Sequence, residues 1–168
     1  VPASEASDLQ HAIVRSHATA VGAFLPREEA RAMLLLRAHV LAFGNSGVRV
    51  EIIERMLEFL RRDLIPAVPE QGSLGASGDL APLSQMVLPL IGKGFLRHPQ
   101  LGEISGEDWL KQNQWQPLQL GPKEALGLIN GTQFMLAHAV EAYRRIRQLF
   151  KQLPIVSALS VDAYDCRM

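Results

Sequence analysis

A single cysteine, Cys166, occurs in the 168 residues, so no disulfide can close within the chain and a reducing, cytoplasmic setting is expected. That thiol reads as a packed side chain rather than a nucleophile. Neither sign of charge is in excess, with 17 Lys plus Arg against 17 Asp plus Glu. There is therefore no basic field to recruit nucleic acid or anionic lipid, and no acidic tail. Long apolar runs are missing too: Leu80 to Ile91 is interrupted by Pro82, Ser84, Gln85 and Pro89 and falls short of a membrane span. No metal-ligand spacing stands out, since His11 and His17 lie six residues apart, about 240° around a helix, and cannot share an ion. Aromatic residues are sparse at 6%, and Trp109 and Trp115 serve better as packing anchors than as a stacking platform. Neither a repeat nor a low-complexity tract appears. The sequence opens on Val1 without a charged-then-apolar leader and closes at Met168, so no signal peptide is expected and both ends are expected to be cut.

What the sequence does have is helical periodicity. With 48% hydrophobic and 20% charged residues, 1–168 is expected to be a single partial domain, mainly α, built as a bundle of long helices with a minor β element. A first helix spans Ser4 to about Val21, with Leu9, Ile13, Val14, His17, Ala18 and Val21 on one buried stripe. Pro26-Arg27-Glu28-Glu29 opens a second, reaching about Phe43 and apolar around much of its circumference. Gly44-Asn45-Ser46-Gly47 is a turn that lacks the Lys-Ser/Thr of a P-loop. The third helix, Glu51 to Arg62, buries Ile53, Met56, Leu57 and Leu60 and turns its charges to solvent. Pro66 and Pro69 make the next segment a stiff extended strut.

A helix from Leu80 to about Gly92 follows, kinked or ended early by Pro89. Phe95 to Ile104, broken at Gly102, is expected to be a strand pair. A short helix begins at Gly106, and Gln116 to Leu120 is a second extended piece. Pro122-Lys123-Glu124 opens another helical turn. Asn130-Gly131-Thr132-Gln133 is then a break and restart, with Asn130 suited as N-cap of a long helix from Thr132 to Leu153. Pro154 is expected in a joint before a last helix from Ile155.

The chain is organised around Gly72-Ser73-Leu74-Gly75-Ala76-Ser77-Gly78-Asp79-Leu80-Ala81-Pro82-Leu83. On composition alone this is a tight loop feeding a helix, with Asp79 as N-cap and Pro82 in the first turn. Chemically it offers more. If the backbone bends, the unhindered Gly78 nitrogen can attack the Ala76 carbonyl carbon; loss of water closes an imidazolone, and dehydration of Ser77 leaves an exocyclic methylidene. The product, 4-methylideneimidazol-5-one (MIO), is an electrophile that no ordinary side chain supplies.

The phrase Gly75 to Leu83, preceded by Val68-Pro69-Glu70-Gln71-Gly72-Ser73 and followed by Asn130-Gly131-Thr132-Gln133, resembles the signature of the aromatic amino acid ammonia-lyases and related aminomutases. Along practically the whole chain the likeness is greatest to the histidine-directed members. It implies the helical fold of that superfamily and an autocatalytically formed MIO from Ala76, Ser77 and Gly78. It also implies elimination of ammonia from an aromatic L-amino acid, L-histidine to trans-urocanate first. In the family the Asn matching Asn130 hydrogen-bonds the ring; on chemistry alone Asn130 is equally a simple cap. Ser16-His17-Ala18 looks like the Ser-His-Ala of histidine-directed members, which puts Ser16 and His17 in the substrate pocket, whereas a lone His on an apolar stripe is otherwise a core residue. Thr19-Ala20 departs from the family's Ala-Gly. Gln133 also matches, without an assigned step.

The chain would be about a third of a family subunit, its N-terminal MIO-bearing part. The catalytic tyrosine would lie upstream of Val1 and the carboxylate-binding arginine downstream of Met168. The implied partners are a small amino acid substrate and, in the complete protein, three further copies in a homotetramer. The fragment alone is expected to be inactive. The rivals are a phenylalanine or tyrosine ammonia-lyase, an aminomutase, and a non-catalytic helical module with an uncyclised loop.

Overall fold

The computed structural model describes residues 5–75 and 77–165; Ser4, Ala76 and Cys166 lie outside the described residues. Seven helices are described: α1 (Ala6–His17), α2 (Arg27–Ala42), α3 (Val50–Arg61), α4 (Leu80–Val87), α5 (Gly106–Gln112), α6 (Glu124–Ile129) and α7 (Gln133–Ala163). Five short strands accompany them: β1 (Val21–Phe24), β2 (Ile65–Pro66), β3 (Pro69–Gln71), β4 (Phe95–His98) and β5 (Gly102–Ser105). The chain is thus mainly helical with two small antiparallel sheets, β1-β3 and β2-β4-β5. Contacts divide it into two units, with the boundary between Ala137 and His138.

In the first unit, α2 packs on α3, and α1 on α4 and α6. Met33, Leu34 and Leu41 of α2 meet Ile52, Met56 and Phe59 of α3 in a core that also takes Leu83 and Met86 of α4. The buried stripe of α3 includes Ile52 and Phe59, while Ile53 and Leu57 are only half-buried, a small rotation from the expected face. The strut at Ile65–Gln71 is extended as expected, and its two ends pair in different sheets. β2 lies beside β4, and β4 pairs with β5 from Phe95↔Ser105 to His98↔Gly102. Pro89 has the expected effect: the α-helix stops at Val87 and a 3₁₀ turn, Leu88–Ile91, replaces its last part.

Further expectations need correction. The first helix ends at His17, and Val21–Phe24 form β1 instead, because β3 supplies a ladder partner from far along the chain that periodicity does not register. Of the expected stripe only Val14 is buried; Leu9, His17 and Val21 are exposed, and Gln10 takes a core-facing place by accepting Ala125 N–H at 3.1 Å. Gln116–Leu120 forms no strand: Leu118 N–H donates to Leu90 O at 3.0 Å and Leu120 N–H to the His11 imidazole at 3.4 Å, so its backbone partners are not a ladder. Pro154 sits inside α7 rather than in a joint. One missing donor removes a single bond from a helix of 31 residues with good helix formers on both sides.

Residues 138–165, by themselves, are helical through Ala163 and solvent-exposed except at Glu141, which is half-buried. Arg144 and Arg145 both bond Glu141 and hold its carboxyl down at about 2. No described helix is long and apolar enough to cross a membrane.

Candidate active site

The loop leaves β3 at Gly72 and enters α4 after Asp79, and its two ends are tied together. Ser73 Oγ donates to Asp79 Oδ1 at 2.6 Å. The other carboxylate oxygen accepts Met135 N–H at 3.1 Å, and Asp79 N–H donates to Gly131 O at 2.6 Å. Asp79 occupies the N-cap position of α4 as expected, but its side chain makes no bond there. Fully buried, it caps the first turn of α7 instead, where unsatisfied N–H groups and the positive end of the helix favour a carboxylate. Asn130 is correspondingly not the N-cap of α7: it is the C-cap residue of α6, with φ −90° and ψ 99°, and α7 starts three residues later.

Gly78 is the point of closest approach between loop and break. Its φ is +153°, and a Cβ there would lie 2.6 Å from Asn130 Oδ1 and 3.2 Å from Gly131 N. Only glycine meets both requirements, a backbone outside the usual L-residue regions and no side chain. Gly78 is buried, while Ser77 beside it is exposed.

Ser77 and Gly78 face a cavity of about 250 Å³ whose wall also includes Ser16 and His17 from the end of α1, Thr19 just beyond it, and Leu74. Sequence positions some sixty residues apart thus share one space. Asn130 is not among the lining residues. A larger cavity of about 570 Å³, beside Lys93, Glu107, Lys111 and Trp115, contains none of the expected site residues. Among the described residues no group of His, Cys, Asp or Glu is arranged to hold a metal.

The orientation of His17 follows from its neighbours. Its Nδ1 lies 2.8 Å from Ile13 O and 3.2 Å from Ser16 Oγ, which itself donates to Ile13 O at 3.0 Å. A carbonyl oxygen only accepts, so Nδ1 carries the hydrogen and Nε2 of the neutral ring is left as an acceptor. Gln85 Nε2 donates to Ala18 O at 3.1 Å and fastens this end of α1 to α4.

Arg37 is the residue that sequence reasoning missed. It sits 2% exposed on the core-facing side of α2. Its Nε donates to Leu128 O at 2.9 Å, Nη1 to Gln133 Oε1 at 2.8 Å, and Nη2 to Asn130 O at 3.0 Å and to Gly127 O. The guanidinium thereby answers the last carbonyls of α6, where helix geometry leaves acceptors without partners and the dipole favours a cation. Burial pulls its pKa down to about 10, which keeps it charged at neutral pH. A lone charge among Met33, Leu34, Leu35 and Leu36 was the available signal. Gly131 is explained by the same group, since a Cβ there would overlap Arg37 Nη1 and Gln133 Oε1.

A family model described as aromatic amino acid lyase matches residues 1–168. The chain belongs to the aromatic amino acid lyase family. It is 43% identical to histidine ammonia-lyase of Shouchella clausii (strain KSM-K16), over 98% of this chain and 34% of that protein. Among solved lyase-family structures, histidine ammonia-lyase from Trypanosoma cruzi superposes with a TM-score of 0.92 at 36% identity, covering 99% of this chain and 33% of that one. Pantoea agglomerans phenylalanine aminomutase gives 0.88 at 34% identity, with 96% and 31% covered. The mainly helical arrangement is therefore that of the ammonia-lyases, and the chain spans about a third of the length of the curated relative it matches.

Proposed function

We propose that this chain carries the electrophile and part of the substrate pocket of an enzyme that eliminates ammonia from an aromatic L-amino acid, converting L-histidine to trans-urocanate. In that reaction the Cα–N bond and one Cβ–H bond break, a Cα=Cβ double bond forms, and ammonia leaves. The observation that carries the reading is the shared cavity of Ser16, His17, Ser77 and Gly78.

The loop fits the prosthetic group expected of the family. Gly78 is held without room for a Cβ, and Ser73, Asp79 and Gly131 fasten the loop's end, an arrangement that suits a ring closed on the unhindered Gly78 nitrogen. When formed from these three residues, MIO supplies an electron-poor methylidene carbon. Asn130, beside Gly78, is the residue to hydrogen-bond the ring. The start of α4, into which the loop runs, adds positive potential that favours negative charge there. His17 offers Nε2 as acceptor to an imidazole N–H of the substrate, and Ser16 holds the His17 ring in place. Leu74, 94% exposed at the cavity wall, is an apolar residue in want of a cover. This is consistent with a site completed by further chain and by other copies in a cytoplasmic homotetramer.

The test is the intact mass of the complete protein together with its product. The active enzyme should be two waters lighter than encoded and release urocanate, while Ser77→Ala, with no hydroxyl to eliminate, should never lose the second water and should lose activity. Full encoded mass in active wild-type enzyme would end this reading. A β-amino acid product would make the protein an aminomutase, a rival that the Pantoea likeness keeps in play.

A further inference from the structure

We propose that Arg37 is a positioning residue for the cofactor loop: by gripping the backbone around Asn130 it sets Asn130 and Gly131 against Gly78 and Asp79, and so governs how readily Ala76-Ser77-Gly78 cyclises. The proposal rests on the reading that this tripeptide forms MIO.

The contacts form a continuous relay. Arg37 Nη2 holds Asn130 O, the next carbonyl, Gly131 O, accepts Asp79 N–H, and Asn130 Oδ1 abuts Gly78. Consecutive carbonyls of the break are thus bonded to opposite partners, one to the arginine and one to the loop. Gln133 Oε1, held by Arg37 Nη1, secures the far side of the same break. Two residues on, Met135 N–H bonds Asp79, so the break and the loop end are joined a second time.

A guanidinium suits this task and an ammonium does not. Its planar fork meets several acceptors in fixed directions, whereas a lysine is a mobile point charge with three donors. The donors of Arg37 are spent on carbonyls and a side-chain amide, an arrangement that fixes backbone position rather than pairing charge. A cation kept out of water is tolerated only when its donors are answered, so the carbonyls cannot drift from the arginine without a large loss. A role in general stability is the plainer alternative, and it makes a different forecast.

Cyclisation forms a bond from Gly78 N to the Ala76 carbonyl carbon. The first water takes the Ala76 carbonyl oxygen with the hydrogens of Gly78 N–H and Ser77 N–H, leaving a C=N bond. A second takes the Ser77 hydroxyl with its Cα hydrogen. No oxidant is involved, so the extent of dehydration reads only how the chain holds the bend.

The experiment compares the complete protein as wild type, Arg37→Lys, Arg37→Met and Gln133→Met. For each, the peptide containing Ala76-Ser77-Gly78 is weighed from folded protein, and kcat and KM are measured per mole of dehydrated peptide. Wild type should be dehydrated throughout, Gln133→Met nearly so, Arg37→Lys in part and Arg37→Met least. In the dehydrated fraction of the Arg37 variants kcat should fall by on the order of a hundredfold, the cost of about 1 Å of misplacement, with KM little changed. Arg37 variants that fold, dehydrate fully and keep kcat would overturn the role given to Arg37. If Arg37→Met does not fold, Arg37→Lys alone decides on the same terms. A wild-type peptide at its encoded mass in active enzyme would instead overturn the MIO reading beneath the proposal.

Discussion

Asp79 Oδ2 accepts the backbone N–H of Met135, 56 positions further along the chain, at 3.1 Å, so the residue that ends the glycine-rich loop also caps the first turn of α7. The same carboxylate takes the Ser73 hydroxyl at 2.6 Å. Loop closure and helix initiation therefore share one buried group. Asp79→Ala should cost about 1–2 kcal/mol as a lost cap, and more if Ser73 Oγ is left without water. Asp79→Asn, which keeps one oxygen acceptor, should cost less. Denaturant melts of the complete protein measure both, and an Ala variant as stable as wild type would mean that α7 needs no cap.

A second buried carboxylate gives a pH dependence. Burial by itself raises the Glu124 pKa, but the Arg49 guanidinium and the N–H groups of Gly121 and Arg49 outweigh it and hold the group below its ordinary 4.5. A group depressed in the folded state contributes stability that is fully present above its unfolded pKa and is lost as pH falls through the folded value. Glu124→Gln should therefore be less stable than wild type at neutral pH, with the gap closing as the medium is acidified below about 4.5. Melting curves across that range check the sign; a gap that widens in acid would contradict it.

Local periodicity was enough to locate α2, α3, α4, the β4-β5 pair and α5 within a few residues, because those elements are specified by their own apolar spacing and by Pro or Gly at their ends. The misplaced pieces depend on distant partners. Val21–Phe24 is a strand only because Pro69–Gln71 lies beside it, and Asn130 loses the N-cap role only because Asp79 arrives from another segment. The loop motif announced the candidate site, and a resemblance joined it to Ser16 and His17. Arg37 escaped because a helix that is mostly apolar hides which of its faces carries a charge inward. The cavity that gathers Ser16, His17 and Ser77 exists only once the end of α1 meets the loop, and no spacing rule encodes that distance.

Asn130 can now be tested more cleanly than its sequence position implied. It caps no helix N-terminus with its side chain, so Asn130→Ala should change stability by well under the ~1 kcal/mol of a lost N-cap. If Asn130 hydrogen-bonds the ring as proposed, its loss should raise the barrier by about 3–4 kcal/mol. The expected outcome is a melting curve close to wild type beside a turnover several hundredfold lower. Unchanged turnover would leave Asn130 as a spacer between α6 and Gly78.

If the proposed function holds, substrate choice should turn on His17. The side chain is exposed at the cavity wall rather than buried in the α1 stripe, and its hydrogen is committed to Ile13 O. Replacing it with Leu removes an acceptor from the cavity and leaves Ile13 O with the Ser16 hydroxyl, so the fold should survive with little change in melting temperature. The imidazole of L-histidine would lose one hydrogen bond, worth about 1–3 kcal/mol, or on the order of ten- to a hundredfold in kcat/KM. L-phenylalanine, whose ring offers no donor to Nε2, would lose nothing and would gain an apolar wall, and L-tyrosine would gain the same wall. Competition among the three amino acids in the complete enzyme should therefore shift toward the phenyl rings in His17→Leu. Ser16→Ala should shift it the same way but less, because Ser16 Oγ touches the cavity's His17 ring at Nδ1, 3.2 Å away. If His17→Leu lowers the melting temperature while the substrate ratio stays fixed, His17 is a structural residue, and the preference for L-histidine loses its support within this chain.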